Sequence, residues 1–326
     1  MHCIARILAV LAVGCVIGPM SRIAQAQDFP AREITMVVPF TAGGPTDVIA
    51  RIIASKMAQA LGQPIQIENV AGAGGTTGTA QVARAPNDGY TLIAGHMGTH
   101  AAALSFYPNL PYHPEHDFKP VSLVAATPIV IVARKDFPPQ TLREFIGYVK
   151  ANTDRITMAH AGVGSVSYTS CLLLNGLLDI KPTGVPFGGA APAMAAVASG
   201  QVDYMCDQIV NVAPRVGAGA VKAYAVALPQ RSPALPNVPT TLEAGLPAFQ
   251  VQAWNAIFVP KGTPAAIIAK ISKAISVALD DDGVRNQLRE LGVVIPSSAE
   301  RGSVPLERLV KNEIARWTPI FQTAAN

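Results

Sequence analysis

The sequence predicts an α/β protein built from two successive units of alternating strands and helices. Short apolar, β-branched runs alternate with stretches of helical apolar spacing, which is typical of βα units with parallel strands. Residues 121–134 form an apolar run that is longer than one ordinary strand, and the alternation starts again after it. A strand that crosses from one unit to the other explains this run.

Residues 1–26 have the features of a secretory signal peptide. Arg6 precedes an apolar run over residues 7–17, and residues 24–26 (Ala-Gln-Ala) supply a small-x-small cleavage site. The run is shorter than the roughly 20 residues that span a bilayer. We therefore expect cleavage after Ala26 and export of the remaining chain. Cys15, which follows Gly14, leaves lipoprotein processing as an alternative.

The amino-acid composition bears on which kinds of molecule the protein binds. Only 14% of the residues are charged and no basic cluster is present, so a nucleic-acid partner is not expected. The 27 Gly and 27 Pro interrupt a high apolar fraction, which suits a compact α/β protein with many short connections. Cys171 and Cys206 follow the signal peptide, and they could pair in an exported protein or remain buried thiols.

The first unit opens with a strand, a glycine loop and a helix. Residues 34–38 are predicted as a buried strand that Pro39 ends. Gly43 and Gly44 allow a close approach of the backbone to a ligand, and Pro45 suits the first turn of a helix. Free N–H groups and the positive end of the helix dipole meet there, as in a carboxylate or phosphate site. An ordinary tight βα turn is the alternative.

Two more loops follow predicted strands at residues 64–70 and 90–95. The loop at 71–78 lacks a dinucleotide fingerprint, because the third glycine expected at position 77 is a threonine. His96 and His100 in the next loop have a spacing that suits one helix face, but the Glu of the metalloprotease pattern is missing. All three loops lie at carboxyl ends of strands, where α/β proteins bind ligands.

The second unit repeats this arrangement after the crossing strand. Predicted strands at 155–159, 184–187 and 202–207 alternate with predicted helices at 141–151, 168–178 and 193–199. Ser165 and Ser167 lie in a loop without the Gly-x-Ser-x-Gly elbow of a nucleophilic serine, so an anion cradle or a helix cap is the simpler interpretation. Asp207 ends the strand predicted at 202–207, on the same side of the predicted sheet as these loops. It is either a structural salt-bridge residue or a hydrogen-bond acceptor for ligand or water.

The C-terminal part is expected to complete the first unit. Residues 221–228 are predicted as the strand that returns to it, followed by a proline-rich segment over 229–247. A further strand is predicted at 253–259, and helices at 264–279, 284–291 and 305–323.

A series of short motifs follows a family-specific order along the mature chain: residues 38–47, 68–69, 72–75, 88–92, 98–100, 110–112, 161–165, 185–187, 200–203, 231–236, 238–240, 243–247 and 262–264. In this order they resemble the Bug-type periplasmic substrate-binding receptors of tripartite tricarboxylate transporters. The resemblance implies a two-lobed type II periplasmic binding protein (Venus flytrap), each lobe a mixed sheet flanked by helices. It implies no catalytic residue, no metal and no cofactor.

The resemblance also implies that backbone amides and ordered waters in the loops of both lobes hold one carboxylate of the ligand. Carried onto this sequence, the first lobe supplies Phe40, Gly43, Gly44, Thr46, Asp47, Thr99 and His100. The second lobe supplies Gly164, Ser165, Ser167, Phe187, Gly189, Ala191 and Asp207. These loops are the ones already predicted as clusters of free N–H groups.

The chain departs from the family pattern at two places. Residues 187–190 read Phe-Gly-Gly-Ala where the family commonly has Tyr-Lys-Gly-Gly, and His160 stands where Ser or Ala is frequent. Our hypothesis is that His100 and His160 help to set specificity for the far end of the ligand. Packed or exposed structural histidines are the alternative.

The function that the resemblance implies is capture of a small organic acid in the periplasm. We expect a monomer that closes on a di- or tricarboxylate, aliphatic or aromatic, and delivers it to the permease subunits of the transporter in the membrane. A ligand-sensing subunit for a membrane kinase and a serine hydrolase that uses Ser165 are the alternatives. Residues 27–124 and 229–326 are expected to form lobe 1, and residues 125–228 to form lobe 2.

Overall fold

The computed structural model describes residues 29–325, so the predicted signal peptide at 1–26 lies outside the described residues. The strands in this range are β1 (Ile34–Val38), β2 (Ile65–Asn69), β3 (Thr91–His96), β4 (Phe118–Arg134), β5 (Thr157–His160), β6 (Thr183–Pro186), β7 (Tyr204–Gln208), β8 (Val221–Val226) and β9 (Gln252–Pro260). The α-helices are α1 (Pro45–Leu61), α2 (Thr76–Ala83), α3 (Ala103–Phe106), α4 (Leu142–Ala151), α5 (Val166–Leu178), α6 (Ala190–Ala198), α7 (Ile209–Gly217), α8 (Ala265–Asp280), α9 (Asp282–Glu290) and α10 (Ser303–Ala325).

Strand β4 belongs to two mixed sheets. Residues 118–128 of β4 pair antiparallel with β9, whereas residues 129–134 pair antiparallel with both β7 and β8. The strand order is β2-β1-β3-β9-β4 in the first sheet and β8-β4-β7-β5-β6 in the second. We call the first sheet with its helices lobe 1 and the second sheet with its helices lobe 2. The long apolar run at 121–134 is therefore the predicted crossing strand.

Strand β8 does not return to the first sheet. Its ladder is formed with β4 inside lobe 2, and the described residues 227–251, which contain no strand or helix, make the return instead. The prediction of a returning strand at 221–228 is therefore wrong, because an apolar β-branched run predicts a strand but not its partner. Helix α7 was not predicted either; Pro214 lies inside it.

Helices cover both faces of the sheets. Helix α1 packs against α8 on one face, whereas α10 packs against β4 and α5 against β7 on the other. Within the described residues, no helix is both long enough and apolar enough to cross a bilayer. Cys171 and Cys206 are buried, free thiols.

His100 lies in the core of lobe 1, in a π-helical turn over Gly98–Ala102. Its ring stacks on Phe258 with a centroid distance of 3.8 Å and meets Phe118 edge-on at 4.8 Å. Its Nδ1 lies 2.9 Å from the Thr99 hydroxyl, and its Nε2 is buried without a hydrogen-bond partner among the described residues. Burial lowers the pKa of His100 well below its ordinary value, so the ring is neutral. Gly95 lies directly against this ring, where a Cβ would collide with it.

We predict that Gly95→Ala lowers the melting temperature, because overpacking a rigid core costs about 1–3 kcal/mol. His100→Ala removes the ring that a new Cβ would strike, so the loss caused by Gly95→Ala should shrink in a His100→Ala background. Thermal melts of the four proteins in this double-mutant cycle measure the coupling.

Gly147→Ala is the matched control, because a Cβ at this position in α4 meets nothing within 4 Å. It should leave the melting temperature unchanged or raise it slightly, since alanine is the better helix former. Equal losses from Gly95→Ala in both backgrounds would contradict the proposed packing.

Candidate functional site

The two lobes meet around a small cavity of about 20 Å³, which is close to the space of a single water molecule. Its wall is formed by loops at the carboxyl ends of strands and by the first turns of helices. The lining residues are Phe40, Gly44, Pro45, Thr46, His96, Ala161, Ser165, Val166, Ser167, Ala190, Asp207 and Gln208. Six of the predicted site residues are among them: Phe40, Gly44, Thr46, Ser165, Ser167 and Asp207.

The N-termini of α1, α5 and α6 converge on this cavity, and α7 begins directly after Gln208, which also lines it. Helix α1 follows Gly44 and helix α6 follows Gly189, and neither glycine can cap its first turn with a side chain. Helix α5 follows Ser165, whose Oγ accepts a hydrogen bond from the Tyr168 N–H at 3.3 Å. The N–H groups of a helix's first turn have no partner inside the helix, and they carry the positive end of its dipole. Because no Lys or Arg lines the cavity, this arrangement would bind an anion through N–H groups and hydroxyls.

Asp47 holds the first loop in shape and does not line the cavity. Its Oδ2 accepts hydrogen bonds from the Gly43 N–H and from Arg51 Nε, both at 2.9 Å, and its Oδ1 accepts one from Asn69 at 2.9 Å. Asn69 also donates to the Phe40 carbonyl at 3.0 Å. Burial alone would raise the pKa of Asp47, but the bonds from Arg51, Gly43 and Asn69 lower it, so the carboxylate stays charged.

The hydroxyls of Ser165 and Ser167 form part of the loop before α5. Ser167 Oγ accepts a hydrogen bond from the Ala161 N–H at 2.9 Å, and the two hydroxyl oxygens lie 3.3 Å apart. Neither hydroxyl bonds to a histidine or a carboxylate in the part of the chain that the structure describes. Activation of a serine nucleophile needs such a base, so the geometry fits a cap and an anion cradle.

Asp207 presents an unpaired carboxyl oxygen in this buried site. Its Oδ2 accepts a hydrogen bond from Asn211 at 2.6 Å, whereas its buried Oδ1 has no partner among the described residues. Burial raises the pKa of Asp207 to about 7, although the bonds from Asn211 and the Gln208 N–H and the charge of Arg215 act against this rise. Asp207 is therefore the titratable group of the cavity near neutral pH.

His96 is a cavity residue that the sequence analysis did not assign to the site. Its Nδ1 accepts hydrogen bonds from the N–H groups of Gly98 and Thr99 at 2.9 and 3.4 Å, so the proton of the neutral ring is on Nε2. The ring stacks on Phe40 at 4.9 Å, and burial lowers its pKa to about 4. Its place at the carboxyl end of β3 is the signal that could have identified it.

The comparisons with known proteins show the family of this chain. The family model described as "Tripartite tricarboxylate transporter family receptor" matches residues 49–325. The chain belongs to this receptor family. In the described residues, no group of three or more His, Cys, Asp or Glu side chains could hold a metal ion.

Solved structures of similar sequence share the fold of this receptor. MatC from Rhodopseudomonas palustris with bound malate is 54% identical, covers 90% of this chain and 100% of its own, and superposes with a TM-score of 0.87. The periplasmic binding protein BugD is 40% identical, with 91% of this chain and 99% of its own covered, at a TM-score of 0.87. Rpa4515 from R. palustris with adipate is 32% identical, with the same coverage and TM-score. The two-lobed periplasmic binding protein fold is thereby confirmed.

The remaining predicted residues of the receptor lie behind the cavity or around its rim. Thr99 and His100 lie behind it, and Thr99 Oγ1 bonds to the backbone of His96. His160 is buried against Tyr168, with a ring-centroid distance of 4.9 Å, and its Nδ1 accepts a hydrogen bond from the Gly162 N–H at 3.2 Å. Phe187 is half-buried on the core of lobe 2. Gly43, Gly164, Gly189 and Ala191 do not line the cavity but lie at contacts between the two lobes, which we call its rim. The structure thus does not bring His100 to the cavity, because its ring is packed in the core.

Two sets of backbone contacts close the rim of the receptor. On one side Gly189 of lobe 2 packs against Thr41 of lobe 1. On the other side the loop at 162–164 packs against Gly74 and Gly98 of lobe 1. The Tyr107 hydroxyl lies 2.8 Å from both the Ala73 carbonyl of lobe 1 and the Val163 carbonyl of lobe 2. The lobes approach each other through glycines because side chains there would keep them apart.

We predict that Gly189→Ala weakens ligand binding about tenfold or more, because its Cβ would lie 3.1 Å from Thr41 Cβ and 3.2 Å from Thr41 N. This contact exists only when the lobes meet, so the melting temperature of the protein without ligand should change little. Gly188→Ala is the matched control, because its Cβ would meet only Thr41 Cγ2, at an ordinary 3.7 Å. Calorimetric titration measures both affinities, and equal affinities of the two variants would contradict the closure contact.

Proposed function

We propose that this receptor is an exported, non-catalytic solute-binding protein that captures an aliphatic dicarboxylate between its lobes. It would deliver this ligand in the periplasm to the permease subunits of a tripartite tricarboxylate-type transporter. The N-terminal residues 1–26 would direct export and be removed. Residues 27–124 and 229–326 would form lobe 1 and residues 125–228 lobe 2, a division supported by the change of β4 partners after Pro128.

One observation carries the proposal: N-termini of α1, α5 and α6 converge on a cavity that no Lys or Arg lines. Such termini stabilise negative charge with N–H groups and dipoles. Ser165, Ser167 and the Nε2–H of His96 add hydrogen-bonding groups of fixed position around the same space. The relatives MatC and Rpa4515 contain malate and adipate, both aliphatic dicarboxylates, which supports this ligand class.

Closure of the lobes is the functional step in this proposal. A cavity of about 20 Å³ is far smaller than a dicarboxylate, so the lobes must separate for entry and close less tightly around the ligand. A ligand that contacts both lobes favours the closed form through its higher affinity for that form.

A thermal-shift screen of residues 27–326 tests the proposal. The ligands are malate, succinate, adipate, citrate, an aromatic dicarboxylate and acetate, with a neutral sugar as the control. At a hundred times the dissociation constant, a ligand should stabilise the fold by about 2.7 kcal/mol, which is a shift of several degrees. Stabilisation by aliphatic dicarboxylates, verified by calorimetry, is the expected result. A shift with the sugar alone, or with none of the acids, would refute the proposed ligand class.

Binding of malate should weaken as the pH rises through 7. Below its pKa of about 7 Asp207 is neutral and can donate a hydrogen bond to a ligand carboxylate, whereas above it the side chain is an anion that repels the ligand. The dissociation constant should therefore rise by up to about tenfold per pH unit above 7.

The variant Asp207→Asn separates this effect from other titrations. It keeps the shape of the side chain but cannot ionise, so its affinity should be flat from pH 6 to 8.5. His96 stays neutral over this range because burial lowers its pKa to about 4. A pH dependence that persists in Asp207→Asn would show that another group causes it.

A further inference from the structure

Four buried polar side chains join the two lobes behind the cavity. Thr46 lies in the first turn of α1, Asn255 on β9, Thr127 on β4 and Gln208 at the end of β7. Each is less than 5% exposed. Thr46 and Gln208 line the cavity, one from each lobe, whereas Asn255 and Thr127 do not. We call this group the interlobe relay.

The hydrogen bonds of the interlobe relay run in one direction. The Thr46 hydroxyl lies 3.3 Å from Asn255 Oδ1, to which it donates. Asn255 Nδ2 donates to Gln208 Oε1 at 3.2 Å and lies 3.4 Å from the Thr127 hydroxyl. Thr127 Oγ1 lies 2.6 Å from Gln208 Oε1 and 3.1 Å from the Ala253 carbonyl. The Thr127 hydroxyl has one proton, and the shorter contact assigns it to Gln208 Oε1, so Thr127 and Asn255 both donate to this oxygen.

This convergence fixes the orientation of Gln208. Its carbonyl oxygen has two acceptor positions, and Thr127 and Asn255 occupy both. A reversed amide would place its NH₂ against the Asn255 NH₂, two donors facing each other. The Gln208 NH₂ is the other end of the amide, and Gln208 lines the cavity.

The relay lies where β4 changes its partners. Thr127 pairs with Ala253 of β9, and Ile129, two residues later, pairs with Gln208 of β7. Because β4 is common to both sheets, Thr127 keeps its place relative to both β9 and β7. Asn255 of lobe 1 is hydrogen-bonded both to Thr46 of its own lobe and to Gln208 of lobe 2.

We propose that Thr127 and Asn255 are positioning residues that hold the Gln208 NH₂ toward the ligand and thereby set the affinity for a carboxylate. This inference rests on the proposed function, since it requires an anionic ligand at Gln208. A donor that is fixed before binding loses little conformational freedom when the ligand arrives. If the Gln208 amide turned over, its carbonyl oxygen would face the anion and repel it.

Calorimetry with malate on four proteins tests the proposal: wild type, Thr127→Val, Gln208→Ala and the double variant. Thr127→Val keeps the shape of the side chain but removes the hydroxyl that bonds to Gln208 Oε1. It should raise the dissociation constant about tenfold or more. In the Gln208→Ala background the same substitution should have almost no effect, because Thr127 acts through Gln208. A merely structural role would give the same loss in both backgrounds.

Thr127→Ser is the conservative control, because it keeps the hydroxyl, and it should bind malate within about twofold of wild type. Thr127→Ala also removes the hydroxyl and replaces Thr127→Val if thermal melts show that the valine variant does not fold. Two results would overturn the proposed role of the relay but not the proposed function. One is wild-type affinity in a folded Thr127→Val or Thr127→Ala, and the other is an equal loss of affinity with and without Gln208. Failure of wild type to bind malate or any acid of the screen would overturn the relay and the proposed function together.

Discussion

The sharing of strand β4 between two sheets is the constraint on which the rest of the molecule depends. The first part of β4 is hydrogen-bonded to β9 and its last six residues to β7 and β8, so its backbone groups are paired in both lobes. Strand β4 is therefore a part of both lobes and joins them. The carboxyl ends of β1, β3, β5 and β7 then face one another across the cavity, and helices α1, α5 and α6 point their N-termini into it.

A site built from helix N-termini requires that the loops around it be held rigid. The N–H groups bind an anion only where the backbone is held still, and protein side chains do this from outside the cavity. Asp47 and Asn69 hold the loop before α1, and Ser167 holds the loop before α5. The charge of Asp47 is neutralised by Arg51, which does not line the cavity. Asp47, which the sequence analysis assigned to the ligand, thus acts on the loop and does not line the cavity.

Much of the fold could be predicted from the sequence, because apolar periodicity and glycine loops report local structure directly. The strand at 34–38, the loop at Gly43 and Gly44 and the crossing run at 121–134 are such cases. The partner of β8 could not be predicted, since strand pairing depends on distant residues. His96 and His100 show the same limit at the site: four residues apart, one lines the cavity and the other is packed between aromatic rings. The π-helical turn that follows His96 places the two side chains in different surroundings.

The Tyr107 hydroxyl has a single proton and two carbonyl oxygens within 2.8 Å, one in each lobe. When the lobes part, it loses the Val163 carbonyl but can still donate to Ala73, which belongs to the same lobe as Tyr107. Opening therefore leaves no buried donor without an acceptor. The Val163 carbonyl belongs to an exposed residue, so it can bind water instead. Because one proton serves both carbonyl oxygens, the contact adds little to the closed form and leaves no buried donor unpaired in the open form.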